Sequence, residues 1–446
     1  MADLLHNQKK RLTSFQIIIL GFAGVILVGA LLLMLPISSK SGTVTPLNEA
    51  LFTSTSAVCV TGLVVQDTAT YWSVFGQVII LLMIQVGGLG VITVAASFAL
   101  LSGRKISLMQ RSTMQEAISA PKLGGIVRLT GFVLKATFLF ELIGAVAMMP
   151  VFIRDFGLKG IWMAFFHSIS AFCNAGFDIM GTADAKYSSL TAYIANPVIN
   201  ITVMLLIVIG GIGFLTWEDV YTNKLRFKQY RMQSKVILTT TAFLILLPAL
   251  FFFFVDFAEL PTKERVLGSF FQSVTPRTAG FNTADLTLMT GAGRALMIVL
   301  MLIGGSPGST AGGMKTTTFS VLLANALASF RRKENPEVFG RRIENGAVKN
   351  AATILMMYIT LFFSGAVIIS VTEGLPMSTC LFETASAVGT VGLTLGITPE
   401  LGILSQCILM VLMFLGRVGG LTLIYAALSR TRKNLSKLPQ EKITVG

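Results

Sequence analysis

Four segments of this chain share one arrangement of residues: LFTSTSAVCVTGL from Leu51, FFHSISAFCNAGF from Phe165, FFQSVTPRTAGF from Phe270 and LFETASAVGTVGL from Leu381. Each opens on an apolar pair that includes Phe, runs through small and hydroxylic residues, and ends on a glycine followed by Leu or Phe. Their chemistry resides in the backbone. The stretches Val60-Thr61-Gly62, Asn174-Ala175-Gly176, Thr278-Ala279-Gly280 and Thr390-Val391-Gly392 are small or hydroxylic and are expected to be extended. Glycine lets successive carbonyls turn to one side, and a ring of carbonyls replaces the hydration shell of a desolvated cation, potassium being the natural ligand. One such glycine reads as a helix cap or a close helix contact. Four at equivalent positions read as parts of one cation site built from the carbonyls of Val60, Asn174, Thr278 and Thr390 and of the glycines.

The rest of the chain must hold these segments. Of 446 residues, 53% are hydrophobic and only 13% are charged, and the mean hydropathy is +0.76. That composition excludes an ordinary soluble domain. Apolar runs long enough to cross a bilayer lie near 15–37, 75–101, 131–153, 197–217, 236–256, 293–329, 350–372 and 403–427. The expected fold is an all-α integral membrane protein of eight transmembrane helices. Its four helix, pore-loop, helix repeats (15–101, 130–220, 236–330 and 350–427) surround one pore with pseudo-fourfold symmetry, between tails at 1–14 and 428–446. A Gly-Gly pair follows each motif: Gly87-Gly88, Gly210-Gly211, Gly304-Gly305 and Gly419-Gly420.

Charge sets the expected orientation. The two tails and the loops at 102–129, 222–235 and 331–349 hold 24 Lys or Arg, whereas the intervening loops hold eight against twelve acids. The positive-inside rule puts both termini in the cytoplasm and the motifs toward the outside of a multi-pass protein of the cell membrane. Lys9, Lys10 and Arg11 precede an apolar run with no cleavage signal, as in a retained tail. Anionic lipid headgroups account for much of the basic excess, and no loop is long enough to form a nucleic-acid-binding module. Four cysteines without a CxxC pair exclude a zinc site of that type, and Cys59 and Cys173 are expected as small packing residues. Two histidines, no HExxH and no paired intramembrane aspartates argue against an enzyme.

Each motif is too short to span the membrane and must enter and return, leaving extended backbone that is tolerated at depth only when buried or facing water. The third motif is one residue shorter between its second Phe and its glycine, with Pro276 expected to end its helix early. The same repeat holds GGSPGSTAGGMKTTT at 304–318, which cannot continue a regular helix. Its resemblance to a phosphate loop fails because Met314 separates Gly313 from Lys315 and no strand precedes it. Lys315 and Arg417 carry charge within apolar surroundings. Each either snorkels to the interface or serves a function, and Arg417 is expected to contact the loop. His167 and Glu383 either tune the field at the outer end or hydrogen-bond the scaffold of the motifs, the scaffold role being favoured; Arg277 is expected to donate to nearby carbonyls, and Glu141 to be either a buried helix contact or protonated.

With these motifs, above all SVTPRTAGFN in the third repeat, the chain resembles the Trk/Ktr/HKT superfamily of potassium transporters over residues 15–430, in particular the membrane subunit of the bacterial Ktr branch. The resemblance implies that Gly62, Gly176, Gly280 and Gly392 are filter glycines; plant-type sodium-preferring relatives carry Ser at the first, so Gly62 favours potassium. It also implies that the loop lies under the filter as a gate, made of Gly304, Gly305, Ser306, Pro307, Gly308, Gly312, Gly313 and Lys315 with Arg417 against it. It implies a homodimer, a cytosolic nucleotide-binding regulatory subunit of the octameric ring type, and no cofactor bound by this chain beyond the transported K+. Sodium permeation, coupling or dependence stays open as the alternative. A solute symporter fits less well, because its broken helices come as inverted pairs and these four hairpins share one orientation.

Overall fold

The computed structural model describes residues 13–101, 107–118, 124–224 and 226–420, together with 422, 439 and 441. Lys9, Lys10 and Arg11, parts of the loop at 102–129 and almost all of the tail at 428–446 lie outside the described residues.

The described residues are mostly helical. It forms α1 (Ser14–Leu33), α2 (Leu47–Cys59), α3 (Val74–Leu89), α4 (Val91–Leu101), α5 (Leu108–Ile118), α6 (Ile126–Phe156), α7 (Lys159–Phe172), α8 (Pro197–Gly211) and α9 (Phe214–Asn223). Then follow α10 (Met232–Phe254), α11 (Thr262–Val274), α12 (Gly291–Leu302), α13 (Thr316–Phe330), α14 (Asn345–Glu373), α15 (Met377–Gly389) and α16 (Ile403–Val418). A hairpin, β1 (Glu337–Val338) and β2 (Arg341–Arg342), separates α13 from α14.

Among the described residues four helices are long and apolar enough to cross a membrane by length and composition, α1, α6, α10 and α14, and the bent pair α8 and α9 makes a fifth if taken as one span. Each of the four opens one repeat. The motif helices α2, α7, α11 and α15 follow, with 13, 14, 13 and 13 residues, about 20 Å at 1.5 Å per residue. That is too short to span the hydrocarbon core. Pro46, Pro261 and Pro376 stand just before three of them, where a missing N–H costs no helical bond.

The third helix of each repeat differs from the expectation of a single uninterrupted span outside the third repeat. α3 stops at Gly90, α8 at the bend before Gly213, α12 at Ile303, and α16 at Gly419. The axes of α8 and α9 differ by 99°. The reason is a close approach. A Cβ on Gly87, Gly210 or Gly416 would lie 2.1, 2.0 or 2.2 Å from the carbonyl oxygen of Val58, Phe172 or Val388, in the last turn of the neighbouring motif helix. The working spacing is therefore glycine at i for contact and at i+3 for the break, Gly87/Gly90, Gly210/Gly213 and Gly416/Gly419. In the fourth repeat the contact glycine is Gly416 rather than a member of the pair Gly419-Gly420.

Contacts between repeats run in one sense. α3 packs on α7, α8 on α11, α12 on α15, and α16 on α2, so the last helix of each repeat supports the motif helix of the next and the series closes. The buried polar residues concentrate there: Thr53, Ser56, His167, Ser170, Gln272, Ser273, Glu383 and Ser386 are all fully buried on the motif helices.

Candidate functional site

Each motif helix ends by the same device. Val60, Asn174, Thr278 and Thr390 adopt left-handed backbone, with φ of 57°, 58°, 71° and 51°. This conformation is costly for β-branched residues and easiest for Asn. After it, the N–H of Thr61, Ala175 and Val391 returns 2.8 Å to the carbonyl of Ser56, Ser170 and Ser386, the 6→1 bond of a Schellman cap. In the third copy the bond runs one residue shorter, from Ala279 N to the Thr275 carbonyl at 3.0 Å. The helix stops at Val274, four residues before Thr278, as its missing residue and Pro276 led one to expect. All four helices thus aim the negative ends of their dipoles at the residues that follow, which favours a cation there.

The four glycines meet. Their φ values are +95°, +68°, +82° and +92° for Gly62, Gly176, Gly280 and Gly392, a region closed to most side chains. A Cβ on Gly62 would stand 2.5 Å from the Ala175 carbonyl oxygen, on Gly176 2.7 Å from Ala279, on Gly280 2.4 Å from Val391, and on Gly392 2.1 Å from Thr61. Each glycine thus abuts the middle carbonyl of the next segment, and the fourth returns to the first. All twelve residues singled out in the sequence, Val60 to Gly62, Asn174 to Gly176, Thr278 to Gly280 and Thr390 to Gly392, fall in this one cluster.

Beyond the glycines lies an open mouth of about 220 Å³ whose wall includes Asp67, Asp178 and Asp285. Asp67 ties the repeats together there, accepting from Thr70 N at 2.7 Å and from Tyr187 N at 2.8 Å. His167 is a support. Its Nδ1 lies 2.7 Å from the Met163 carbonyl and its Nε2 faces Ile179 N at 3.5 Å, a pair of contacts that suits the neutral ring donating at Nδ1 and accepting at Nε2. Glu383 accepts from the hydroxyls of Thr394, at 2.9 Å, and of Thr398. Arg277 departs from expectation: its guanidinium donates to the Thr241 hydroxyl of α10 at 3.3 Å rather than to the segment carbonyls, because tertiary packing brings α10 beside it. Glu141 is buried on α6 and accepts a weak bond from Cys173 Sγ at 3.9 Å.

On the other side of the glycines runs the segment 303–315. It is stitched to the broken helices by backbone bonds: Ser306 N to the Gly211 carbonyl at 2.9 Å, Thr310 N to Gly210 at 3.2 Å, Gly313 N to Gly416 at 3.2 Å and Phe214 N to Gly308 at 2.7 Å. Its own ends close on each other through Gly304 N to Met314 at 2.8 Å and Thr316 N to Gly305 at 2.9 Å. Gly312 packs on Thr390, and Gly313 on Gly389, so the segment touches the first residues of the glycine cluster. Pro307 and Gly308 lie beside Gly213. Lys315 Nζ folds back onto the loop, donating to the Ala311 carbonyl at 2.8 Å and to Gly312 at 3.3 Å. Arg417 donates to the carbonyls of Thr310 and Gly87, and to that of Gly88 at 3.1 Å. One guanidinium therefore joins the loop to the broken end of α3, adding a charged donor to carbonyls in its last turn.

Two features escaped the sequence reading. One is the hydroxyl set on the motif helices: Ser56 and Ser386 accept from Gly62 N and Gly392 N, each at 3.0 Å, while Ser170 and Thr275 donate to the carbonyls of Phe177, at 2.7 Å, and Phe281. The recurring hydroxyl five or six residues before each glycine was its signal. The other is Thr310, which lay unremarked between Gly308 and Gly312.

A mainly helical bundle with several apolar helices, whose four motif segments meet at their glycines below an acidic mouth, has the makings of a multi-pass membrane transport protein. A model of the TrkH family, described as cation transport protein, matches residues 4–437, and the chain belongs to that family. It is 40% identical to the potassium/sodium uptake protein NtpJ of Enterococcus hirae, over the whole of both chains. It is 37% identical to the Ktr system potassium uptake protein B of Bacillus subtilis, over 98% of this chain and 97% of that one. The crystal structure of the potassium transporter TrkH from Vibrio parahaemolyticus superposes with a TM-score of 0.74 at 18% identity, covering 94% of this chain and 85% of the other. The protein is a potassium or cation uptake transporter of the Ktr/Trk type.

Proposed function

We propose that this chain is the potassium-selective translocation subunit of an uptake system, with eight membrane-crossing segments arranged as four pseudo-equivalent repeats around one pore. The carbonyls of the twelve clustered residues form its filter, and the segment 304–318 with Arg417 forms its gate. The observation that carries this reading is the closed series of contacts in which each of Gly62, Gly176, Gly280 and Gly392 abuts the middle carbonyl of the next segment. Such a series brings carbonyls to a common centre, where they substitute for water around a weakly hydrated cation. The loop then stands in the path between this centre and the cytoplasmic side, and Arg417 holds it there. Both termini are cytoplasmic in this reading.

We further propose that the chain works as a homodimer under a cytosolic nucleotide-binding ring, in line with the relatives named as components of a Ktr system. The basic surfaces around Arg331 to Lys349 are the docking candidates. A sodium-permeable or sodium-coupled variant of the reading is favoured by the relative named a potassium/sodium uptake protein. Rb+ or K+ uptake into proteoliposomes, with and without Na+, tests both. Uptake of K+ and Rb+ in preference to Na+ is expected; absence of flux of either ion overturns the proposal, and equal Na+ flux selects the sodium-permeable form.

A further inference from the structure

The four residues that open the candidate filter segments are Val60, Asn174, Thr278 and Thr390. Only one of them carries an amide. Left-handed backbone alone would account for an Asn at this place, but it does not account for the partners that this side chain has. Asn174 Nδ2 donates across to the third segment, to the Arg277 carbonyl at 3.4 Å and the Thr278 hydroxyl at 3.3 Å. Its Oδ1 accepts from the hydroxyl of Thr310, 3.2 Å away, in the middle of the loop. The single proton of that hydroxyl is shared with the Phe172 carbonyl at 3.1 Å, the last carbonyl of α7. Both side chains are fully buried.

Thr310 is thereby tied on every polar atom. Its N–H goes to Gly210, its carbonyl receives Arg417, and its hydroxyl reaches Phe172 and Asn174. Gly210 must lack a side chain to allow this, since a Cβ there would lie 2.8 Å from Asn174 Oδ1 and 2.9 Å from Thr310 Oγ1. A loop that only blocked a path would need no bond to the filter. This one shares a bond with it.

Resting on the filter and gate reading above, we propose that Thr310 and Asn174 are positioning residues that couple gate to filter: the hydroxyl–amide contact that holds the loop in place also orients Asn174, and through it the opening residues of the third filter segment. When the loop leaves, Asn174 Oδ1 loses its donor. The amide turns to find another, and its two donations to Arg277 and Thr278 are released with it. The innermost ring of the pathway is then set by four segments in the closed state and is looser on the side of the second and third in the open one. The preference among monovalent cations therefore depends on where the loop stands, in addition to the identity of the filter glycines.

The test uses the full chain in proteoliposomes and reads the ratio of initial Rb+ to Na+ uptake. Thr310→Val keeps the shape and removes the hydroxyl; Asn174→Ala removes the amide. Loss of one buried hydrogen bond shifts a population about fivefold. In the basal flux, measured with the loop still seated in the unsubstituted protein, each single variant therefore moves the pathway toward its looser state and is expected to lower the ratio by roughly that factor. Thr310→Ser restores it. Because both act through one contact, the double variant is expected to lower the ratio no further than the larger single effect. Full additivity, or an unchanged ratio in Thr310→Val, overturns the coupling. Should Thr310→Val fail to give folded protein, Asn174→Ala and Thr310→Ser decide the matter through the same ratio. Gly280→Ser separates this proposal from the reading beneath it. If Gly280→Ser lowers the ratio and Thr310→Val does not, the coupling alone fails; if Gly280→Ser leaves the ratio unchanged, the filter reading fails.

Discussion

The closed contact series makes a quantitative demand on Gly392. Replacing it by alanine puts a methyl group at φ +92°, 2.1 Å from the Thr61 carbonyl oxygen and 2.9 Å from the Gly62 Cα. Two costs follow. The backbone conformation costs about 1.5 kcal/mol for a residue with a side chain, and the crowding costs about as much again in a packed interior that cannot yield freely. At about 3 kcal/mol together, the intact geometry of the first and fourth segments falls roughly 100-fold in population. A matched control lies four residues on. Gly396 has φ +94° but nothing within 4 Å of a Cβ, so Gly396→Ala carries the strain without the crowding. In proteoliposome uptake, Gly392→Ala is expected to lower K+ flux by about two orders of magnitude or to bring the Rb+ to Na+ ratio toward unity, while Gly396→Ala leaves the ratio unchanged. Equal effects of the two substitutions on that ratio would refute the argument that contact between segments, rather than backbone strain, sets the pathway.

Two further outcomes are expected. Arg417→Ala leaves the carbonyls of Thr310, Gly87 and Gly88 without their charged donor; charged hydrogen bonds are worth about 1.5–3 kcal/mol each, so the loop's closed state weakens and the Rb+ uptake rate rises at least tenfold, as it does on deletion within 306–313, and unchanged flux in both would sink the gate assignment. Asp67→Ala removes the acceptor shared by Thr70 and Tyr187 across two repeats and is expected to lower the thermal midpoint of the detergent-solubilised protein, about 2 kcal/mol being lost with these bonds, while the Rb+ to Na+ ratio is retained.

What could be read from the chain follows from how local each feature is. The four motif helices, their stop ahead of the small and hydroxylic residues, and the different end of the third beside Pro276 depend on neighbouring residues, and the sequence pattern displays them; the helices' length of 13 or 14 residues it does not. The break after Ile303 was visible because Gly, Ser and Thr crowd into one stretch. The breaks at Gly90, Gly213 and Gly419 were not, since the meaning of each glycine depends on Gly87, Gly210 or Gly416 pressing on a carbonyl of another helix. The same limit applies to Arg277. Its place beside the third segment suggested carbonyl partners, but Thr241 lies 36 residues away, and only tertiary packing brings it near. Asn174 and Thr310, 136 residues apart, illustrate the general case: an isolated polar residue among small ones acquires a role only when its partner is known.

The hydroxyls of the motif helices carry the asymmetry of the glycine cluster one step further. A trans peptide points its N–H and its C=O in opposite directions. Where Ser56 and Ser386 take the N–H of Gly62 and Gly392, that N–H faces the motif helix, and the carbonyls of Thr61 and Val391 are turned away from it. These are the two carbonyls that Gly392 and Gly280 abut. In the second and third segments the equivalent hydroxyls, Ser170 and Thr275, bind the carbonyl after the glycine instead, so no side chain fixes the middle peptide there. Two of the four middle carbonyls are thus anchored by hydroxyls and two are held only through neighbours, one of which is Asn174. A site defended by two anchored segments and two adjustable ones has fewer well-formed carbonyl rings than four identical segments would provide, and its adjustable half is the half that touches Thr310.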